Sequence, residues 1–425
     1  MSLSKVITKS ATVQKYAETI ESLSARVRRW ISEQDEAPDA AVIRERVEDE
    51  FFSSMVPEDM DVKEISLIIG SICERVTYKY GLLNSLLEDP SINEIMVNGP
   101  GAIFVEQNRE LVRVDDAFIS DIELEEVIRM FASDVHREVN EANPIVDARL
   151  PSGFRVNGVL KTVALNGPIL TIRKFREKEI TMDELVETGS LSRRCADDLS
   201  ALVHSGYNIF ISGGTSSGKT TFLNALTAYI GSDERVIIIE DSAELMITHL
   251  ENKVQMECRA ANSIGKGEVT MERLIRTSLR MRPDRIIVGE VRGKEVVDMI
   301  QAMNTGHDGS MSTGHGNSIK GMLNRLETMY LMDAQASVNS VRNQIANAID
   351  IFVHLKRDAS GRRGVEEVAE LMSYDGENYS INYLYKADSS RVLQPTGNGL
   401  KDRERLIRAG YADVLRGCDL NDRSS

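Results

Sequence analysis

At 425 residues the chain is long enough for two or three domains of about 150 residues each, and 42% apolar residues suffice to build cores. Fifty-one basic against 66 acidic residues leave a net charge of −15, which argues against a nucleic-acid binder with a broad basic face and leaves room only for a local basic groove. No apolar run approaches the ~20 residues that span a bilayer, "MSLSKVITKS" carries no secretory apolar region, and Cys73, Cys195, Cys258 and Cys418 stand singly, without a C-x-x-C pair for zinc or a disulfide framework. A reduced, cytoplasmic protein is expected.

Apolar residues at three-and-four spacing predict helices in "VQKYAETIESLSARVRRW" and "AAVIRERVEDEFFSSM", separated by a loop at Pro38, and a further helix in "VKEISLIIGSICERVTYKY". Near residue 90 the period changes. "NEIMVNG", "AIFVE" and "ELVRV" are predicted strands with Gly and Asn at their turns, "DIELEEVIRMFASDVHREV" a helix, and "RVNGVLKTVAL" and "ILTIRKF" strands again. "EKEITMDELVETGSLS" reads as a charged linker with a short helix. From Leu191, helices alternate with the apolar strands "YNIFIS", "VIIIE", "RIIVGE" and "GSMST", the pattern of a parallel sheet with both faces covered. "IDIFVHLK", "GVEEVAEL" and "YSINYLY" suggest a late antiparallel appendage, and the last forty residues are polar and loosely patterned.

"GGTSSGKTT", between "YNIFIS" and the helical "KTTFLNALTAYI", fits G-x-x-x-x-G-K-[ST] in its strand-loop-helix context. Gly213, Gly214, Thr215, Ser216, Ser217, Gly218, Lys219, Thr220 and Thr221 form the loop. Its glycines allow backbone N–H groups to surround phosphate oxygens, and the helix N-terminus adds partial positive charge. Lys219 neutralises the β- and γ-phosphates, and Thr220 offers a hydroxyl to Mg²⁺. Glu290, ending "RIIVGE", is the acid available as general base for water or, through a water ligand, to hold Mg²⁺, with Gly289 standing where many such proteins place an aspartate. Glu240 and Asp241 end "VIIIE", where carboxylates of parallel strands point into the ligand crevice. In "MNTGHDGSMSTGHGNS", His307 and His315 sit among four glycines. A metal site lacks a third nearby ligand, and a γ-phosphate sensor fits better. His136, His204, His249 and His354 fall in ordinary structural patterns.

"GGTSSGKTT", "IIIEDSAEL", "LRMRPDRIIVGEVRG" and "MNTGHDGSMSTGHGNS" together resemble the traffic ATPases of type II and type IV secretion and pilus assembly. "LLEDPSINEIMVNGPGAIFVE", "NPIVDARLPSGFRVNGVL" and "LTIRKF" narrow the resemblance to the CpaF branch, the motors of tight-adherence (Flp) pili. The likeness covers roughly residues 60–385. It implies an α/β chain with a RecA-like P-loop domain (191–385) behind a smaller α+β domain (61–178). A helical extension (1–60), a linker (179–190) and a C-terminal tail (386–425) complete the expected organisation. It further implies a homo-hexamer that binds ATP and Mg²⁺, docked on an inner-membrane platform at the cytoplasmic face, with no direct nucleic-acid contact. By motif, Glu290 is the Walker B acid, and glycine before it is normal. Glu240 and Asp241 form the acidic box, and His307 and His315 the histidine box. Arg149, Arg155 and Arg173 match the region whose arginines reach the phosphates, and Arg282 is a further candidate. Such arginines stabilise charge in phosphoryl transfer and tie hydrolysis to movement. Phe154 replaces a usual small polar residue and Gly316 a usual alanine. The implied function is a motor that powers assembly of a Flp pilus, and retraction is compatible with the same motifs. A translocation ATPase of a type IV secretion system shares the motifs, though its compact members often lack the helical extension. A nucleotide-dependent scaffold with little hydrolysis is disfavoured by the intact acids, and a small-molecule kinase by the lack of an acceptor lid.

Overall fold

A computed structural model describes residues 8–54, 60–107, 110–174, 180–259, 261, 266–332, 336–358 and 361–417. The expectations placed on the first seven residues, on 175–179 at the start of the linker, on Cys418 and on the end of the tail lie outside the described residues. The chain divides into two compact units, residues 1–177 and 178–425.

The first unit begins with four helices, α1 (Lys9–Lys15), α2 (Ala17–Ser32), α3 (Ala40–Ser53) and α4 (Val62–Thr77). Thr8, Asp39 and Asp61 cap α1, α3 and α4 by accepting first-turn N–H groups, which would otherwise lack partners. The three-and-four pattern buries Ile20, Leu23, Val27, Val47, Phe51, Ile68 and Ile72 in one cluster. Arg75, with 1% of its side chain exposed, ties this bundle to the α+β part of the same unit. Its guanidinium donates to the Glu123 carboxylate and to the Ala117 carbonyl, both at 2.7 Å.

After a short α5 (Leu83–Glu88) come β1 (Ile92–Asn98), β2 (Ile103–Gln107), β3 (Glu110–Arg113), α6 (Asp121–Asp134), β4 (Ile145–Arg149), β5 (Arg155–Val159) and β6 (Ile169–Arg173). The strands form one antiparallel sheet in the order β3-β2-β1-β6-β5-β4. Helix α6 stops short of the expected span, with His136 in the left-handed region at φ 54° just beyond it. It packs Leu124, Val127, Ile128 and Phe131 onto the sheet. Gly158 of β5 permits the approach, because a Cβ there would stand 2.6 Å from Ile128 Cγ2. Strand alternation then turns Val156 and Gly158 inward and Arg155, Asn157 and Val159 to the opposite face.

The second unit runs α7 (Met182–Glu187), α8 (Arg193–His204), β7 (Ile209–Gly213), α9 (Lys219–Thr227), β8 (Val236–Glu240), β9 (Lys253–Glu257), α10 (Met271–Ser278) and β10 (Arg285–Val291). It continues through α11 (Val296–Asn304), β11 (Met311–His315), α12 (Ile319–Leu331), α13 (Val338–Ala348), β12 (Ile351–Arg357), β13 (Arg363–Tyr374), β14 (Tyr379–Ala387), β15 (Leu393–Pro395) and α14 (Glu404–Arg408). The nine strands lie in the order β15-β14-β13-β12-β7-β11-β10-β8-β9. The six from β12 to β9 are parallel, so their carboxyl ends share one edge. Alternate residues feed two cores, Ile209, Ile211, Ile238 and Ile287 on one face and Phe210, Ile237, Ile239 and Val288 on the other. This is the expected α/β architecture, with two differences. Strand β12 is no appendage: it pairs in parallel with β7, and only β13–β15 run antiparallel. The polar end of the chain is also packed, since Leu393, Leu400, Leu406 and Leu415 join the first core.

Candidate active site

Strand β7 delivers the chain into the loop 213–218 at the carboxyl edge, and α9 starts at Lys219. Gly218 takes φ 95° and Ser216 φ 57°. A side chain at Gly213 would collide with Ser217 Oγ at 2.5 Å and the Leu355 carbonyl at 2.7 Å, so the loop needs glycine where it leaves the strand. Thr215 and Ser216 are exposed, while Ser217 and Lys219 are buried. Lys219 Nζ points back into the loop and donates to the Gly213 and Gly214 carbonyls at 3.3 and 3.2 Å. Burial lowers its pKa from the ordinary lysine value, with Glu290 opposing and Arg292 adding to the shift. A buried ammonium held by two carbonyls in a cradle of N–H groups is suited to phosphate.

His315 ends β11 directly beside Gly213. Its Nδ1 lies 3.3 Å from Lys219 Nζ, and its Nε2 2.9 Å from Glu290 Oε1. Arg292 follows just past the end of β10, two residues after Glu290. Its guanidinium reaches Glu290 Oε2 at 3.1 Å and Asp241 Oδ2 at 3.4 Å. A polar chain therefore runs from Lys219 through the His315 imidazole to Glu290, Arg292 and Asp241. The β10–β11 ladder shifts between Val288 and Val291, so Gly289 and Glu290 depart from regular pairing. Such irregularities re-aim side chains. Thr313 Oγ1 fixes the shift by donating to the Gly289 carbonyl at 2.8 Å.

Glu240 is 3% exposed. Its Oε1 accepts the backbone N–H groups of Glu244 and Leu245 at 2.8 and 3.0 Å, holding the loop after β8. Gly289 lies beside it: a Cβ there would stand 3.0 Å from Glu240 Cγ. Glycine before Glu290 is thus the condition for Glu240 to occupy the crevice. Glu240→Ala should orphan two amides and destabilise the unit by about 1–3 kcal/mol. Glu240→Gln keeps an accepting oxygen and should lose under half of that in urea unfolding; equal losses would mean the amides are not what Glu240 serves.

The sheet brings together the loop, Glu240, Asp241, Glu290 and His315, and leaves two candidates elsewhere. His307 lies before β11, beyond its amino end, and His315 ends that strand, which by itself spans about 13 Å. There Nδ1 meets the Ala302 carbonyl at 3.1 Å and closes the end of α11. Arg282 precedes β10 at the same amino edge, exposed and at φ 56°. In the first unit, Arg149, Arg155 and Arg173 occupy one row: Arg149 faces Arg155 across β4–β5, and Arg155 faces Arg173 across β5–β6. Directly opposed residues share a face with their Cβ atoms about 5 Å apart, so the three side chains leave the sheet in one row. Arg155 is held by Asp147 at 3.1 Å and Arg149 by the Gly153 carbonyl at 3.3 Å.

The residue that sequence reasoning did not single out is Arg292. The signal available was its spacing of two from Glu290 at the end of the predicted strand "RIIVGE". Gly316 is explained as well: a Cβ there would stand 3.0 Å from Met322 Cβ, so the usual alanine is crowded. Phe154 lies against the first unit's core, its carbonyl accepting from Leu150 N–H at 2.8 Å.

Among the described residues no three His, Cys, Asp or Glu side chains converge to hold a metal by themselves. The residues present do fit a Mg²⁺ brought with the phosphates. Glu290 Oε1 and Ser217 Oγ are buried without an aligned hydrogen-bond partner. Thr220 and Glu290 would hold the ion, which supplies charge neutralisation across the phosphate oxygens. Glu290 can then take a proton from water, and Lys219 and the loop amides balance the charge on the leaving phosphates.

Burial lowers the pKa of His315, and Lys219 lowers it further, while Glu290 opposes both. The imidazole stays neutral and its Nδ1 can accept from Lys219. Protonation would set two cations against each other. The unfolded chain protonates at about pH 6.5 while the folded site resists. Stability from this group is therefore complete above that pH and is lost as pH falls through the depressed folded value. His354, lowered mainly by burial, acts with the same sign. Urea midpoints from about pH 8 to about pH 5 should fall on the acid side, and His315→Gln should flatten part of that fall. An unchanged profile in the variant would remove His315 from the account.

A parallel sheet with a phosphate loop at its carboxyl edge and a carboxylate beside it defines a P-loop nucleoside triphosphate hydrolase. The chain belongs to the type II/IV secretion system protein family, which matches residues 78–393, and with that family it is an ATP hydrolase. A putative conjugal transfer protein of Mycobacterium tuberculosis is 34% identical over 314 residues, covering 72% of this chain and 88% of that protein. The conjugal transfer protein TrbB of Rhizobium radiobacter is 34% identical over 304 residues, covering 70% and 89%. Among solved structures, the ATPase DotB of Yersinia pseudotuberculosis aligns with a TM-score of 0.51 at 17% identity, over 69% of this chain and 79% of that one, and supports the fold. No helix among the described residues is long and apolar enough to cross a membrane.

Proposed function

We propose that this ATP hydrolase is a ring motor, a homo-hexamer that works on an inner-membrane platform at the cytoplasmic face and powers assembly of a Flp-type pilus. The observation that carries the motor reading is the row Arg149–Arg155–Arg173. Three arginine side chains that leave one sheet face in register form a charge-assisted donor set suited to a polyphosphate. Their position in a compact unit other than the one bearing the P-loop suits hydrolysis linked to movement. The pilus reading rests on the capped four-helix bundle, all of which lies ahead of the family match at residue 78. A second reading, a translocation ATPase of a type IV secretion system, is favoured by relatives named for conjugal transfer.

ATP turnover per subunit should rise with protein concentration as rings assemble, in step with particle mass by light scattering. Turnover that stays with a monomeric species at every concentration would sink the ring. Deleting the gene should remove surface pili and leave conjugation intact. Loss of DNA transfer with pili retained would transfer the assignment to the second reading.

A further inference from the structure

Behind the phosphate loop the sheet buries a polar pair. His354 on β12 and Ser212 on β7 are paired across the sheet, and Gly314 of β11 continues the row on the other side of Ser212. His354 is 3% exposed and Ser212 fully buried. Ser212 Oγ lies 2.9 Å from His354 Nδ1. The surroundings on that face are apolar: Phe210 and Phe352, two residues earlier on the same strands, pack with ring centroids 5.5 Å apart. A polar pair in such a place persists only when its hydrogen bonds are made.

The imidazole has a second neighbour. The Asn317 backbone lies within bonding reach of the ring and favours its proton, as a carbonyl acceptor does, while burial keeps the ring uncharged. The single ring proton then faces Asn317, and Nδ1 accepts from the Ser212 hydroxyl. Asn317 comes two residues after His315 and directly before Ser318, whose Oγ caps α12 by accepting the Gly321 N–H at 3.0 Å. Gly314 lets that helix lie close, since a Cβ there would stand 2.9 Å from Met322 Cε and from Phe210 Cζ. His354 thus spans from the strand that enters the phosphate loop to the turn that leaves His315. Next after Ser212, the Gly213 carbonyl accepts the Gly316 N–H and Lys219 Nζ, each at 3.3 Å. One imidazole therefore braces from beneath the two segments that carry Lys219 and His315.

We propose that His354 is a positioning residue for ATP hydrolysis, which holds the His315 turn in register with the phosphate loop so that Lys219, His315 and Glu290 meet the nucleotide in one arrangement. It acts through Ser212 and the 315–317 turn and touches no substrate. The loop amides and Lys219 come from one continuous segment, so binding should outlast loss of the brace while the chemical step does not. ATP turnover and calorimetric ATP affinity would be measured on the full-length protein, on His354→Leu, His354→Gln and Ser212→Ala, and on the double variant His354→Leu/Ser212→Ala. All would be held at one concentration, with particle mass checked by light scattering. His354→Leu should lower kcat roughly 10- to 100-fold, the cost of misplacing reacting groups by about 1 Å. Its KM and ATP affinity should stay within about threefold of wild type. His354→Gln, which keeps a donor for Asn317, should exceed His354→Leu in kcat by at least about threefold. Ser212→Ala should lower kcat, yet add less than about twofold to the loss in His354→Leu, because the pair acts as a unit. Retained ATP binding shows that a variant is folded. If His354→Leu does not fold, His354→Gln and Ser212→Ala decide, and wild-type kcat in both overturns the proposal. It is also overturned by unchanged kcat in a folded His354→Leu, by a loss of ATP affinity as large as the loss of kcat, or by full additivity in the double variant.

Discussion

Glu290→Gln is expected to bind ATP and to lose turnover by on the order of 10²- to 10⁴-fold, the contribution of a well-placed general base. The substitution keeps the shape and an accepting oxygen beside His315 Nε2, so the contact at 2.9 Å has a replacement. The negative charge is lost, and with it the proton acceptor and the partner that opposes burial at Lys219. Arg292 also loses a charge partner and keeps only Asp241 at 3.4 Å. Single-turnover kinetics with enzyme sites in excess over nucleotide would isolate the chemical step. A loss smaller than about tenfold would mean that another group activates water. Glu240 is the nearest alternative acid, and its two accepted amides weigh against it.

Arg155→Ala is expected to cost on the order of 10³- to 10⁵-fold in turnover if its guanidinium meets the transferring phosphate. Arg155 is the middle member of its row, flanked in register by Arg149 and Arg173. Removing it takes away the member of the row in register with both of the others. Its ion pair with Asp147 is 37% and 51% exposed on the two sides and adds little to folding, so the effect should appear in turnover with the unfolding midpoint nearly unchanged. Mixing Arg155→Ala with Glu290→Gln sharpens the result. If a site combines the arginine of one chain with the carboxylate of another, mixed rings regain part of their turnover. No recovery places both groups of a working site on one chain. An effect of a few fold would remove Arg155 from the transition state.

The phosphate loop was legible because its demands are local: glycines at fixed offsets, then Lys219 and Thr220 at a helix start. The apolar runs "YNIFIS", "VIIIE" and "RIIVGE" announced the central strands because both faces are covered. β9 carries no such run. "KVQME" is half-buried at the edge of the sheet, and its alternation reads weakly over five residues. The antiparallel reading of residues 349–385 failed at β12 because chain order does not report spatial order. The two histidines of "TGHDGSMSTGH" looked like one cluster, yet a strand runs between them and carries them to opposite edges. Arg292 was hidden because its partners Glu290 and Asp241 meet only once β8 and β10 are both in the sheet. The leucines of the tail, at positions 393, 400, 406 and 415, follow no helical or strand period, and their burial depends on a core assembled from elsewhere.

The place of β7 has a consequence for synthesis. Its neighbours in the sheet are β11 and β12, and Asn208, just before β7, is bound at 2.7 Å by Asp350, 142 positions later. A ribosome that has made the P-loop must therefore add most of the remaining chain before that loop gains the strands on either side of it. The first unit has its own core and can close while the rest is still being translated. The nascent protein should thus carry a finished arginine sheet well before it can grip a nucleotide, and ATP can stabilise only chains that are almost complete.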